Sequence, residues 1–401
     1  MEDGGAPGPG AADARRLVVA YGFAPSTDTS AVVMAKRVLA DGVPVDVVSQ
    51  DLSSVSGSDD GLASLVQPLV GRQIVLGGEP EYGGWATIRR FVSEGLDAVA
   101  RLELAHGRPY AEVHSRAMWP AAHFLAARYR LLTPGATWSA EFSDPLLHTV
   151  AGEQRRRRFG GDDVAEDLWR AVRDADPSLS RPDNVWEMVE LLPYAVADSV
   201  VFTNELQRDH MLGYCRSRVL AERARERSVV SPHPSPPASA YALSSAVLDR
   251  EPGTVAVGYF GVFYPTRGLT EVWDALGRLD AEERGRLRLH VFTSDPASLV
   301  EQLAGTGLEG VVLPRDYVPY LDFLHLATQL DVLVVGDART AGTHDVNPYL
   351  PSKWSDYVGS STPVWALSEP GSMLSRMPAA YGSSLGDVDG AVRVLREILA
   401  R

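Results

Sequence analysis

One pattern recurs through nearly the whole chain: a short run of β-branched and apolar residues, a segment with helical spacing, then another such run. Runs that are apolar throughout belong to strands buried on both faces, and strands separated by helical segments need the crossovers of a parallel sheet. The first series of strand candidates is LVVAYG (17–22), VPVDVVS (43–49), RQIVLGG (72–78), YAEVHS (110–115), ATWSAEF (136–142) and SVVFTN (199–204). A helix is predicted over 29–41, where Val32, Val33, Met34, Val38 and Leu39 form an apolar stripe while Lys36, Arg37 and Asp41 face out. The charge-rich segment 151–190 reads as helices and loop placed before the sixth strand. Next, SVVSPHPSPPASA (228–240) has four prolines within 232–237, which stops regular structure and marks a linker.

Beyond the linker the alternation resumes with TVAVGYFG (254–261), LRLHVFT (287–293), VVLP (311–314), DVLVVGD (331–337) and TPVWALS (362–368). Helices fit 268–279, 296–304, 319–329 and 352–359, and GDVDGAVRVLREILAR (386–401) closes the chain as an amphipathic helix. The architecture expected is α/β: two doubly wound, Rossmann-like domains, over 15–235 and 236–385, with the carboxyl ends of their sheets facing across a cleft. Residues 1–14 are expected to form a disordered tail.

Composition narrows the function classes. The 401 residues are 45% hydrophobic and 22% charged, enough for two cores. A formal charge of −14 opposes nucleic-acid binding, which needs a basic face. The one obvious basic run, Arg155–Arg158, is either a solvated loop or a site of attraction for anionic lipid or an acceptor phosphate, the latter implying peripheral contact with the inner membrane face. Cys215 is the only cysteine, so no intrachain disulfide forms, and a cytoplasmic setting is expected. No stretch is long and apolar enough to span a bilayer, and LVVAYGF is too short for the core of a signal peptide.

The strand-end loops hold the candidate chemistry. YGFAPSTDTSA (21–31) lacks the three glycines of a dinucleotide fingerprint, which weighs against an oxidoreductase, and Asp28 or Thr29 serves there as a helix cap. HSRAMWP (114–120) places His114 and Arg116 at a strand end, and EFSDPL (141–146) offers Asp144 either as a turn-former or as a carboxylate for a sugar hydroxyl. In GYFGVFYPTRGLTEVWDAL (258–276), Arg267 precedes a helix start, where amides and the macrodipole already favour an anion.

Lysine is almost absent: only Lys36 and Lys353 occur among 38 basic residues. Lys353 follows Pro351 and Ser352 at a predicted helix start, so it and Arg267 are a candidate pair for a diphosphate, with Asp356 one turn further on to accept ribose hydroxyls.

These segments resemble the nucleotide-sugar glycosyltransferases of the GT-B fold, glycosyltransferase family 4 in particular. The pieces that carry the resemblance are ADSVVFTNELQRDHM (197–211), GYFGVFYPTRG (258–268), DVLVVGD (331–337) and LPSKWSDYVGSSTPVWALSEPG (350–371). It implies that the C-terminal domain binds a nucleotide diphosphate sugar, that the N-terminal domain holds a glycan, lipid-linked or small-molecule acceptor, and that the last helix crosses back to the N-terminal domain. It also implies roles: Arg267 and Lys353 on the diphosphate, Gly261 and Ser352 in its loops, Asp356 as the final acid of an E-x7-E motif on the ribose, Tyr317 and Val318 at the base, and the His114–Arg116 segment against the donor sugar. The family transfers with retention and requires neither a metal nor another cofactor.

Two departures stand out. Pro348 occupies the place of the first acid of E-x7-E, leaving Asn347 or Asp345 to substitute, and Val262 stands where the family's GxR segment has arginine. A nucleotide-sugar epimerase of the same fold and a non-catalytic partner subunit are therefore the alternative readings.

Overall fold

A computed structural model of the chain describes residues 16–401, so the expected tail over 1–14 lies outside the described residues. The chain divides into two compact units, Met1–Pro234 and Ser235–Arg401.

In the first unit seven strands, β1 (Arg16–Ala20), β2 (Val45–Gln50), β3 (Val70–Leu76), β4 (Glu112–Ala117), β5 (Thr137–Phe142), β6 (Ser199–Phe202) and β7 (Ser228–Val230), form one parallel sheet in the order β3-β2-β1-β4-β5-β6-β7. The helices between them are α1 (Thr29–Asp41), α2 (Asp60–Val66), α3 (Trp85–His106), α4 (Ala121–Leu132), α5 (Asp163–Ala175), α6 (Val185–Val196), α7 (Glu205–Gly213) and α8 (Arg218–Glu226). The six predicted strands and the helix over 29–41 are all present. β7 was not foreseen: it is the first three residues of the segment read as linker, and it pairs with β6 before the prolines take over.

Alternation along the strands separates a core face from a charged one. Leu17, Val19, Val113, Trp138, Ala140, Phe142, Val200 and Phe202 join α3, α4 and α6 in one apolar core. Arg16, His114, Arg116 and Glu141 occupy the opposite alternation, with Arg116 in register with both Ala20 and Glu141. α1 leans its Arg37 toward this second face. Lys36, expected to face out, is fully buried.

The second unit has six parallel strands, β8 (Val255–Phe260), β9 (Leu287–Thr293), β10 (Val312–Asp316), β11 (Val332–Gly336), β12 (Val364–Ser368) and β13 (Tyr381–Ser384), ordered β10-β9-β8-β11-β12-β13. Its helices are α9 (Thr270–Arg278), α10 (Ala281–Gly285), α11 (Pro296–Leu303), α12 (Tyr320–Ala327), α13 (Lys353–Gly359) and α14 (Val388–Leu399). The order reverses between β8 and β11, which makes that pair the topological switch point of the sheet. The closing helix α14, which the resemblance sends back to the first domain, buries Ala391, Val394, Leu395, Ile398 and Leu399 in the core of this second unit. Its apolar stripe is used there, beside Val272, Leu276 and Tyr381.

Candidate functional site

In the second unit the loops after β8 and β11 leave neighbouring strands at the switch point and are tied together. The first is a tight turn: Tyr264 and Arg267 exchange backbone hydrogen bonds of 2.9 Å in each direction, with Pro265 and Thr266 at the tip. The Thr266 carbonyl then accepts from the Arg339 amide of the second loop at 2.6 Å. Arg339 closes the connection from its other end, its guanidinium bonding the buried Glu271 of α9 at 2.7 Å. Gly261 follows β8 directly, its amide on the Phe292 carbonyl at 3.0 Å, and a Cβ there would press on the Tyr259 ring.

Arg267 is half-buried between these loops, and its Nε is buried without a protein partner. Its charge acts on Asp337, the residue immediately after β11. Asp337 is 1% exposed; one carboxylate oxygen accepts from the Glu369 amide at 3.0 Å and the other is buried without a partner. Burial pushes its carboxyl up to about 6, against the opposing pull of Ser372, the Glu369 amide and Arg267. Neither Asp337 nor Glu369 was singled out from the sequence, although an acid directly after a buried parallel strand is itself a signal.

Glu369 organises the rest of the second loop. Its carboxylate accepts from the Thr340 amide (2.6 Å) and hydroxyl (2.7 Å), the Ala341 amide (3.0 Å) and the Asn347 side chain (3.1 Å). Burial pushes this carboxyl up, and the hydrogen bonds outweigh it, so it is held below its ordinary value. Asn347 also donates to the Ala338 carbonyl and accepts from the Tyr349 amide. Its amide group is committed to building the loop, whereas Asp345 is exposed on it.

Lys353 opens α13 with its ammonium 4.0 Å from the centre of the Phe323 ring and 3.9 Å from Asp356, and its side chain is 33% exposed. Ser352 precedes it with helical backbone and no side-chain capping bond. The Trp354 and Ser355 amides are taken by the carbonyls of Pro351 and Ser352. Asp356 is 2% exposed and accepts from the Tyr320 hydroxyl at 2.9 Å, so it faces α12 rather than open solvent. Tyr317, 53% exposed, and the half-buried Val318 follow β10 at the same carboxyl edge of the sheet.

In the first unit three cations, Arg37, His114 and Arg116, turn inward. β4 runs through Ala117, so His114 and Arg116 lie within a strand rather than in the loop where the sequence reading put them. Both converge on Glu141, fully buried in β5: His114 Nε2 is 3.0 Å from one oxygen, and the other takes Arg116 and, at 3.2 Å, Arg37. Burial pushes Glu141 up; Arg116, Arg37 and His114 together outweigh it and hold it well below the usual carboxylate range. Arg37 continues to the Ser231 hydroxyl at 2.8 Å and the Pro232 carbonyl at 3.2 Å.

Asp144 lies half-buried in the loop after β5, and that loop is held from two sides. Glu190 of α6 accepts from the Leu146 and Leu147 amides, each at 2.8 Å, while Arg155 donates to the carbonyls of Pro145, Leu146 and His148. Arg155 therefore turns inward, unlike the exposed Arg156, Arg157 and Arg158 of the same basic run. Burial raises the Glu190 carboxyl to about 7.

No protein-family model matches the chain, and no curated protein does so. Solved structures do. A glycosyltransferase from Rickettsia africae ESF-5 superposes over 96% of this chain and 87% of its own, with 10% identity and a TM-score of 0.57. An E. coli trehalose-6-phosphate structure bound with UDP-2-fluoro glucose matches 96% of this chain and 91% of its own, at 13% identity and a TM-score of 0.54. A sucrose-phosphate synthase from Thermosynechococcus elongatus matches 96% and 89%, at 14% identity and 0.54. The fold is that of the GT-B class. At these identities the likeness speaks to the fold alone. Among the described residues no group of three or more His, Cys, Asp or Glu is placed to hold a metal, and no helix is long and apolar enough to cross a membrane.

Proposed function

We propose that the chain is a retaining glycosyltransferase that takes a hexosyl group from a nucleotide diphosphate sugar, held by the second unit, and passes it to a glycan, lipid-linked or small-molecule acceptor held by the first. The observation that carries this reading is the pair of loops at the β8/β11 switch point, one bearing Arg267 and the other ending in Lys353, joined through the Thr266 carbonyl and the Arg339 amide. Ligands of open parallel sheets bind at the carboxyl ends of strands where the order reverses. Two cations there suit a diphosphate: the guanidinium offers a planar fork and the ammonium a compact point charge.

In this reading Arg267 and Lys353 hold the diphosphate and stabilise the charge that gathers on it as the anomeric carbon–oxygen bond breaks. The acceptor oxygen bonds to that carbon on the face the phosphate leaves, and its proton passes to the departing phosphate oxygen. Ser352 and Gly261 shape the phosphate loops and Tyr317 and Val318 flank the base, while Asp356, buried against the Tyr320 hydroxyl, acts on the site through the charge of Lys353 rather than by reaching the ribose itself. Asp345 is the carboxylate left to meet the donor sugar once Asn347 is committed to the loop.

The test is a panel of uridine, guanosine, adenosine and thymidine diphosphate sugars, scored separately for binding and for donor turnover with and without acceptor. Binding of one nucleotide with acceptor-dependent turnover is expected, and loss of that binding in Lys353→Ala and Arg267→Ala. Absence of binding to every nucleotide overturns the reading. Turnover that needs no acceptor replaces transfer by epimerisation.

A further inference from the structure

The loops at the carboxyl edge of the first sheet carry an aromatic wall that the reading above does not use. Tyr21, directly after β1, stacks on Trp119, two residues after β4, with ring centres 5.0 Å apart and planes 17° apart. Tyr82, in the loop between β3 and α3, meets the edge of Trp119 at 5.1 Å and Trp186 of α6 at 4.8 Å. Tyr21 and Trp186 are buried and belong to the apolar core, whereas Tyr82 is 36% exposed and Trp119 half-buried. The two outer rings thus show aromatic surface to solvent on a rigid aromatic base.

Backbone geometry is spent on placing Tyr82. Gly83, next to it, has φ of +88°, and a Cβ at that position would lie 2.5 Å from the Trp186 ring. Only glycine lets the chain turn there while Tyr82 rests on Trp186.

The polar surroundings identify the occupant. Trp119 Nε1 is buried without an acceptor in the protein, and a buried indole N–H ordinarily has one. The Tyr82 hydroxyl lies in the fields of Arg155, Asp144 and Asp28, and Tyr21 beneath Trp119 in those of Arg90 and Glu81, so three carboxylates face two guanidiniums across the wall. That balance disfavours a phosphate-bearing ligand. A hydrocarbon chain would leave the indole N–H unmet. A neutral pyranose satisfies both demands: the C–H groups of its flat face lie against the negative face of an aromatic ring, and its rim of hydroxyls supplies acceptors for the indole and donors for the carboxylates.

Resting on the transferase reading and narrowing its acceptor, we infer that Tyr82 and Trp119 form a saccharide subsite of the first unit, with Asp144 on the hydroxyl rim, so that the acceptor is an uncharged glycan sugar rather than a sugar phosphate. The rigid support of the 143–155 loop by Glu190 and Arg155 then has a purpose, since it fixes the carboxylate of Asp144 relative to the aromatic wall.

The test uses the full chain and neutral disaccharides built from glucose, galactose, mannose and N-acetylglucosamine, titrated calorimetrically and by tryptophan fluorescence beside glucose 1-phosphate and uridine, guanosine and adenosine diphosphates. At least one neutral disaccharide is expected to bind. Tyr82→Ala should weaken it about tenfold or more, a loss of about 1.4 kcal/mol, and Tyr82→Phe should retain most of it. Trp119→Phe, which keeps a ring and removes the N–H, should weaken binding by a smaller factor. Nucleotide affinity should not change in any of the three, and their thermal unfolding serves as the folding control. The inference is overturned if a nucleoside diphosphate binds and no neutral disaccharide does, if glucose 1-phosphate alone binds, or if folded Tyr82→Ala binds disaccharide as well as the parent. Saccharide binding without any nucleotide binding upholds the subsite and removes the transferase reading instead.

Discussion

The two sheets share a topology and dispose of positive charge in opposite ways. In the first unit Arg37, Arg116 and His114 are drawn onto one buried carboxylate, Glu141, on a face of the sheet. In the second, Arg267 sits in the loop after β8 beside the buried Asp337, which keeps an oxygen without a protein partner, and Lys353 opens α13 3.9 Å from the buried Asp356. A fold of this kind does not dictate where cations go; the position of the counter-carboxylate does. Where it lies within a strand, as Glu141 does, three cations converge on it, and where it lies just past one, as Asp337 does, it holds a single guanidinium in its field.

The largest effect should come from removing the inner carboxylate. Glu141→Gln leaves Arg116 and Arg37 buried against a neutral amide, and breaking a buried pair in this way costs roughly 3–5 kcal/mol. An unfolding free energy in urea within about 0.5 kcal/mol of the parent's would show that the three cations do not depend on Glu141. Lys353→Ala should do the reverse, lowering nucleoside diphosphate affinity about tenfold or more while shifting stability by about 1 kcal/mol or less, as befits a part-exposed ammonium over a ring. Calorimetric titration paired with thermal unfolding reads both.

Protonation sharpens the same comparison. Asp337 titrates near 6 in the folded chain and near 3.8 as a free side chain, so the folded state binds its proton more tightly. Stability from this group is therefore greatest below the lower value and declines as pH rises through about 4 to 6, by on the order of 2–3 kcal/mol. Asp337→Asn should flatten that slope in a pH series of unfolding midpoints. An anion bound beside Arg267 should push the Asp337 midpoint higher still, visible as a shift of its carboxyl carbon resonance on adding nucleoside diphosphate. A midpoint indifferent to saturating nucleotide would place the ligand elsewhere.

The smallest expected effects concern the helix starts. Asp28 caps α1, accepting from the Ser30 and Ala31 amides, so Asp28→Ala should cost about 1 kcal/mol. Ser352 makes no such bond at α13, and Ser352→Ala should change stability by only a few tenths of a kcal/mol.

Strands such as LVVAYG and DVLVVGD were legible in the sequence because burial on both faces leaves a continuous apolar run. β13, YGSS, was not, since an edge strand needs no such run. Asp28 was legible as a cap because capping is local. Lys36 and Arg37 were misread for the opposite reason: Glu141, which anchors Arg37, is more than a hundred residues away, and helical spacing alone assigns charged positions to solvent. The same limit hid the aromatic wall, whose rings come from separate loops and meet only once the sheet orders them. Arg267 was legible as a residue just before a helix start and Lys353 as a residue at one, while the commitment of Asn347 and Asp356 to neighbours within the unit was not.

The bond between the Thr266 carbonyl and the Arg339 amide has one more consequence. Two loops that would otherwise lose their freedom separately when an anion arrives have already lost it during folding. A ligand meeting them forfeits little affinity to ordering, and a substitution that loosens either loop should show itself first as faster release.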